Sequence, residues 1–146
     1  MGHHAHVMSV CFGAGGRWLA SGGGDKTVRI WDAVSGKLLR ELTGHNAYVR
    51  SVSFSPDGQW LASGSSNNVR IWDVHQGNCV AVLAGLPEGW VAFTPDGRYK
   101  FGGNVGQNFW HAIALCRFEV GELDEFIPGL RLDLDEALLV RSRPTP

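Results

Sequence analysis

The sequence predicts an all-β chain built from repeated four-stranded antiparallel sheets, and three observations carry that prediction. The chain repeats itself. Setting Gly2-His3 over Gly44-His45 aligns Val7 with Val49, Ser9-Val10 with Ser51-Val52, Phe12 with Phe54, and Trp18-Leu19-Ala20-Ser21-Gly22 with Trp60-Leu61-Ala62-Ser63-Gly64, all at an offset of 42. After a one-residue deletion, Val28-Arg29-Ile30-Trp31-Asp32 lies over Val69-Arg70-Ile71-Trp72-Asp73, and Leu42 over Leu83, at an offset of 41. Second, each copy breaks into short runs rich in β-branched and aromatic residues, bounded by Gly, Pro, Ser and Asp. Third, the 146 residues hold 20 glycines and 6 tryptophans. Glycine punctuates many short strands, and tryptophan needs large, ordered packing sites.

The strands follow in order. Val7 to Phe12 ends at Gly15-Gly16, and Val49 to Ser55 ends at Pro56-Asp57-Gly58, residues that suit a tight turn. Trp18 to Ser21, Val28 to Trp31 and Leu38 to Leu42 complete the first copy; Trp60 to Ser63, Val69 to Trp72 and Cys79 to Leu83 complete the second. Strands this short and apolar must be covered on both faces, which side-by-side packing of four-stranded sheets provides. A third, eroded copy begins near Gly85, with Val91-Ala92-Phe93-Thr94-Pro95-Asp96-Gly97 over Val52 to Gly58 and Arg98-Tyr99 over Gln59-Trp60. Its Gly-His is missing, and the turn Gly102-Gly103-Asn104-Val105-Gly106 matches neither other copy. The expected division is 1–43, 44–84 and 85–120 for three sheets, followed by a tail, 121–146. That tail is acidic, and Leu130, Leu132 and Leu134 alternate, so it is expected to be extended with one apolar side that caps an exposed sheet face. Arg141 to Pro146 is expected to fray.

At these residues the chain resembles the WD-repeat β-propeller family, whose Gly-His, Ser-Gly, turn Asp and Trp-Asp are matched by residues 2 to 32 and nearly as well by the second copy, which also carries the central Phe-Ser-Pro-Asp-Gly as Phe54 to Gly58. The segment from Trp90 through Phe109-Trp110-His111 to Pro128-Gly129-Leu130 resembles the degenerate C-terminal ending of long bacterial WD-repeat proteins. The resemblance implies a partial propeller of about three four-stranded blades with an irregular tail. It also implies a hydrogen-bonded set in each blade: His3, Ser21, Asp25 and Trp31 in the first, and His45, Ser63, Asn67 and Trp72 in the second. Asn67 brings no negative charge, so the second set is expected to be the weaker. Trp31 is expected to be a large buried aromatic. Family members bind partners at the end ringed by the loops before the first strand and after the second. The matching positions are His6, Met8 and Gly24, then Tyr48, Arg50 and Ser66; Tyr48 with Arg50 combines contact area with directional polar groups.

Competing chemistry is weighed against this. A His beside an Asp, with Ser21 as a nucleophile, imitates a hydrolase, yet no second site feature supports it and the structural network explains the same residues. His3, His4 and His6 are metal-ligand types without an evident fourth ligand, so no metal and no cofactor is expected. The cysteines, Cys11, Cys79 and Cys116, are odd in number and widely spaced, and read as buried thiols. No Gly-x-x-x-x-Gly-Lys phosphate loop occurs. A net charge of -1 and dispersed arginines (Arg17, Arg29, Arg70) argue against nucleic acid and anionic membrane as partners. The longest apolar runs, such as Ala137 to Val140, fall far below the roughly 18 residues of a membrane span. Met1 to His6 lacks the form of a secretory signal, so a cytoplasmic location is expected.

The expected function is a non-enzymatic interaction or sensor module with a protein partner. A chain of about three blades leaves apolar blade faces in water, because propellers close with roughly four to eight. Two expectations follow: upstream blades of a larger protein of which this is the C-terminal part, favoured by a start falling on Gly2-His3, or a self-assembling scaffold that completes a ring as a homo-oligomer.

Overall fold

The computed structural model describes residues 2–66, 68–105, 110–113, 116–119, 129 and 131–139, and divides into two compact units, Met1–Val80 and Ala81–Pro146. In the first unit β1 (Val7–Phe12), a 3-10 turn (Ala14–Gly16), β2 (Trp18–Gly23), β3 (Val28–Asp32) and β4 (Leu38–Leu42) form one antiparallel meander in chain order. The second repeat supplies β5 (Ser51–Phe54), β6 (Trp60–Gly64) and β7 (Val69–Asp73). The registers repeat as the sequence does. Ala20 lies opposite Cys11 and Ile30, and Ala62 opposite Ser53 and Ile71.

Turn chemistry ends the strands. Asp32 Oδ1 accepts hydrogen bonds from the Val34 and Ser35 amides at 3.1 and 2.8 Å, and Asp73 Oδ1 accepts from His75 and Gln76 at 2.8 Å each, so the Asp of each Trp-Asp pair closes the turn after its Trp. Gly36 and Gly77 complete those turns at φ of 70° and 78°, where a side chain would be strained.

Period-two alternation gives each sheet two faces, and the core is where the first repeat lays one of them on the second. Ala20, Val28, Ile30 and Leu42 from the first repeat meet Val49, Val52, Leu61, Trp72 and Val74 from the second, all buried, with Cys11, Trp18, Phe54 and Cys79 at the margin. Cys11 and Cys79 are therefore half-buried rather than buried as expected, because they sit on the rim of this core. The face of the first sheet that carries Ala20 and Gly22 is called its trailing face, and the face of the second that carries Val52 and Leu61 its leading face. At the closest approach there is no room for a side chain: a Cβ on Gly22 would stand 2.5 Å from Val49 Cγ1 and 3.1 Å from Val52 Cγ1. The backbone amide of Val52 donates to Ser9 Oγ across the same seam at 3.2 Å.

The third stretch departs from the simple repeat. β8 (Cys79–Leu86) runs three residues past the expected end at Leu83, through the expected boundary at 84/85, and turns directly into β9 (Gly89–Phe93), with Leu86 opposite Gly89. Gly85 does not break the strand but pairs with Trp90 inside the ladder, and the chain turns only at Pro87-Glu88. β10 (Tyr99–Gly103) pairs with β9, and the Thr94-Pro95-Asp96-Gly97 turn between them, with Gly97 at a φ of 91°, repeats the Ser55-Pro56-Asp57-Gly58 turn. β11 (Trp110–Ile113) and β12 (Cys116–Glu119) form a separate two-stranded ladder. Val91, Ala92, Tyr99, Val105 and Leu132 are buried in this unit.

The described part of the tail lies along an edge, not over a face. The Leu132 amide donates to Tyr99 O at 2.7 Å, Arg131 makes a parallel bridge to Tyr99, and Lys100 Nζ donates to Glu136 O at 2.7 Å. Leu132 is buried but Leu134 is exposed, so the leucine alternation expected to make one apolar side is only half used. Leu130, the cysteine side chain at 116 and residues 141–146 lie outside the described residues.

Gly22→Ala is expected to destabilise the fold by about 1–3 kcal/mol through overpacking of the seam. Gly64→Ala should cost less, because the atom its Cβ meets first is the movable Ser51 Oγ of its own sheet. Urea unfolding of both variants checks the order.

Candidate functional site

The first repeat closes a complete polar chain. Asp25 in the β2–β3 turn accepts from His3 Nδ1–H at 2.9 Å, His3 Nε2 meets Ser21 Oγ at 2.7 Å, and the Trp31 indole N–H donates to Ser21 Oγ at 2.8 Å. A carboxylate only accepts, which places the proton on Nδ1 and leaves Nε2 to take the serine hydroxyl proton. Asp25 also accepts from the His4 amide at 2.9 Å and from Thr27 Oγ1 at 2.8 Å. Burial pushes the Asp25 carboxyl up, but these bonds outweigh it and hold its pKa well below the usual carboxylate range.

The second repeat makes only part of this chain. His45 Nε2 meets Ser63 Oγ at 2.7 Å and the Trp72 indole N–H donates to the same oxygen at 2.7 Å. Within ordinary hydrogen-bond limits no described residue pairs with the buried His45 Nδ1. Asn67, the expected counterpart of Asp25, lies outside the described residues, and the neighbouring side chain that favours protonation of His45 is Asn68. Burial first, and then the Arg70 charge, push the His45 pKa down.

Sequence reasoning missed the arginines that accompany these sets, although both repeats carry the same Val-Arg-Ile-Trp-Asp. Arg29 is buried, with Nη2 on Glu41 at 2.8 Å and 3.9 Å from Asp25. Arg70 instead lies 5.9 Å over the Trp72 ring and 3.7 Å from Cys79 Sγ. Glu41 has no acidic equivalent in the second repeat, where the matching position is Val82.

The two tryptophans differ in a way the sequence hid. Trp72 is buried under the first sheet, whereas Trp31, expected to be buried, is half-exposed, because within the first unit no described sheet packs on the leading face it occupies.

The Ser-His-Asp geometry resembles a hydrolase triad but is structural. Ser21 is buried, and its oxygen is already engaged by the Trp31 indole, so no substrate carbonyl can reach it. Among the described residues no three His, Cys, Asp or Glu side chains group as a metal site; His4 and His6 stand exposed and apart from the His3 ring contacts.

The remaining candidates gather at one end of the first unit. The Gly24 amide donates to His6 O at 2.8 Å, the Val49 amide to Gly23 O at 3.1 Å, and the Arg50 amide to Gly64 O at 2.8 Å. These bonds set the loop before β1, the β2–β3 turn and the loop before β5 side by side. His6, Met8, Tyr48, Arg50 and Ser66 are exposed there, with Gly24 half-buried among them.

The fold defined by these blades and their Ser-His-Trp sets is an incomplete WD-repeat propeller. Residues 1–32 and 36–73 match the family WD domain, G-beta repeat, so both repeats of the first unit are WD repeats. The chain is similar to Protein tipD of Dictyostelium discoideum, 38% identical over 85 residues, covering 58% of this chain and 14% of tipD. It is 29% identical over 106 residues to the Target of rapamycin complex subunit wat1 of Schizosaccharomyces pombe, 70% of this chain and 34% of wat1. It is 49% identical over 37 residues to the Pre-mRNA-splicing factor PRP46 of Yarrowia lipolytica, 25% of this chain and 8% of that protein. The chain thus spans about a third of wat1 and less of the others. All three are eukaryotic, so they lend the bacterial resemblance of the C-terminal segment no support. Among the described residues no helix is long and apolar enough to cross a membrane.

The two sets should titrate in different windows. The His45 pKa is lower in the folded chain than its ordinary 6.5, so the unfolded chain takes the proton first and stability falls as pH drops below that value. The Asp25 pKa is depressed from 3.8, so its contribution is present above that value and is lost as pH falls further. Urea midpoints from pH 8 to 2.5 are expected to show His45→Gln flattening the loss between about pH 7 and 5, and Asp25→Asn flattening the loss below about pH 4.

Proposed function

We propose that the chain is a non-enzymatic protein-interaction module that binds a protein partner through the rim formed by His6, Met8, Gly24, Tyr48, Arg50 and Ser66. The observation that carries this reading is the backbone stitching of that rim. Bonds between His6, Gly23-Gly24 and Val49-Arg50 hold two loops and a turn in fixed register, while Tyr48 is 53% exposed beside Arg50. A rigid platform of this kind displays an aromatic and a guanidinium at little ordering cost, the combination enriched at binding hot spots. The names of similar proteins, a complex subunit and a splicing factor among them, agree with work inside an assembly. We place the chain in the cytoplasm, as the C-terminal part of a larger WD-repeat protein of the bacterial multidomain kind that its C-terminal segment resembles. No nucleic acid, membrane or cofactor enters this reading. A second reading, a self-assembling scaffold that completes a ring, is favoured by the uncovered face of the first blade.

Tyr48→Ala combined with Arg50→Glu is expected to lower affinity for the module's protein partner by at least about tenfold without altering the unfolding midpoint. Val34→Asp, at a fully exposed turn after β3, should leave binding unchanged. Quantitative comparison of proteins retained by the three forms checks this. Identical retention by all three would remove the rim from consideration.

A further inference from the structure

The chain contains its own template for what covers the first blade. In the second blade the leading face carries Val52, Phe54, Leu61 and Trp72, and the first blade's trailing face covers it through Ala20, Gly22, Val28 and Ile30. The first blade's leading face carries the same residues at the same positions, Val10, Phe12, Leu19 and Trp31, and within the first unit no described sheet packs on them. Val10 is 60% exposed where Val52 is 7%, and Phe12 is 67% exposed. The second blade's trailing face likewise repeats the first: Ala62, Gly64, Val69 and Ile71 stand for Ala20, Gly22, Val28 and Ile30. Its residues are more open than their counterparts: Val69 is 38% exposed where Val28 is 0%, and Ser51 and Ser53 are exposed. The groups of the polar contact also recur: the Val52 amide donates to Ser9 Oγ, and the sequence repeats that pair as Val10 and Ser51.

We propose that two copies of this chain associate head to tail, the trailing face of one copy's second blade (Ala62, Gly64, Val69, Ile71) seated on the leading face of the other's first blade (Val10, Phe12, Leu19, Trp31). The seam would repeat the contacts already made inside each chain, small residues against large ones, and remove two apolar surfaces from water together. Such an interface is heterologous, since it joins two different patches. The proposal sharpens the scaffold reading and is independent of the partner rim, which lies at the ends of the strands rather than on a sheet face.

The test uses the full chain and two variants at exposed positions, Val10→Asp on the leading face and Val69→Asp on the trailing face. Sedimentation velocity is expected to show association of the unaltered chain. Either variant alone should lose it by at least tenfold in Kd, because every contact then includes one damaged face. An equimolar mixture should form a one-to-one heterodimer through the intact face of each. Near-UV circular dichroism of the tryptophans confirms folding; Phe12→Asp and Ser51→Glu replace a variant that does not fold. A monomeric unaltered chain overturns the proposal and leaves the face to a blade from another polypeptide segment. Val69→Asp that still self-associates, or folded variants that stay monomeric when mixed, also overturn it, the first by showing leading face on leading face.

Discussion

The structure depends on one seam, where a sheet face of small residues is pressed against a sheet face of large ones. Ala20 and Gly22 let the backbone of β2 approach the second blade so closely that Val49 and Val52 fill the space a side chain would take. Leu61 and Trp72 then bury almost completely, and Val28, Ile30 and Leu42 close the margin. A four-stranded sheet has two apolar faces and cannot bury both alone, so each blade's order rests on a neighbour. The consequences reach down to single hydrogen bonds, because the Ser-His-Trp set lies on the same leading face and its environment is decided by whether that face is covered.

The polar sets show how a repeat solves one problem twice with different means. A buried indole N–H must be satisfied, and in both blades a serine hydroxyl accepts it and passes the second bond to a histidine. In the first blade Asp25 completes the chain, and Arg29 with Glu41 balances the charge. In the second blade burial first, and then the charge of Arg70, disfavour a protonated His45, and no acidic residue matches Glu41. This set is better covered by packing, with Trp72 buried where Trp31 is half-exposed. Coverage and charge thus substitute for one another along the array.

Much of this was legible in the residues. The offset of 42 with its shift to 41 located β1 to β7 within one or two residues, because strand ends coincide with Gly, Pro and Asp turns whose geometry is local. The His3-Ser21-Asp25-Trp31 set was legible only through the family resemblance, which implies a bonded set at those positions. What the sequence did not carry was coverage. Trp31 and Trp72 occupy identical local contexts, and only the presence of a packed neighbour separates them. The overrun of β8 to Leu86 was hidden because an eroded repeat has lost the Gly-His that would mark its start, and nothing before Pro87 stops the strand. The buried Arg29 was missed because an arginine in a strand reads as a surface charge until its carboxylate partners are placed beside it.

The central claim is that identical blade faces differ only in what covers them, and indole hydrogen exchange of the two equivalent tryptophans tests it most directly. Both Trp31 and Trp72 donate to a serine hydroxyl, at 2.8 and 2.7 Å, so hydrogen bonding alone would protect them alike. In dilute solution, where chains do not associate, the Trp72 indole is expected to exchange at least about tenfold more slowly than that of Trp31, since only Trp72 must wait for the seam to open. Equal rates, or faster exchange at Trp72, would contradict the account, because coverage by the neighbouring blade would then have no bearing on the stability of the face it covers.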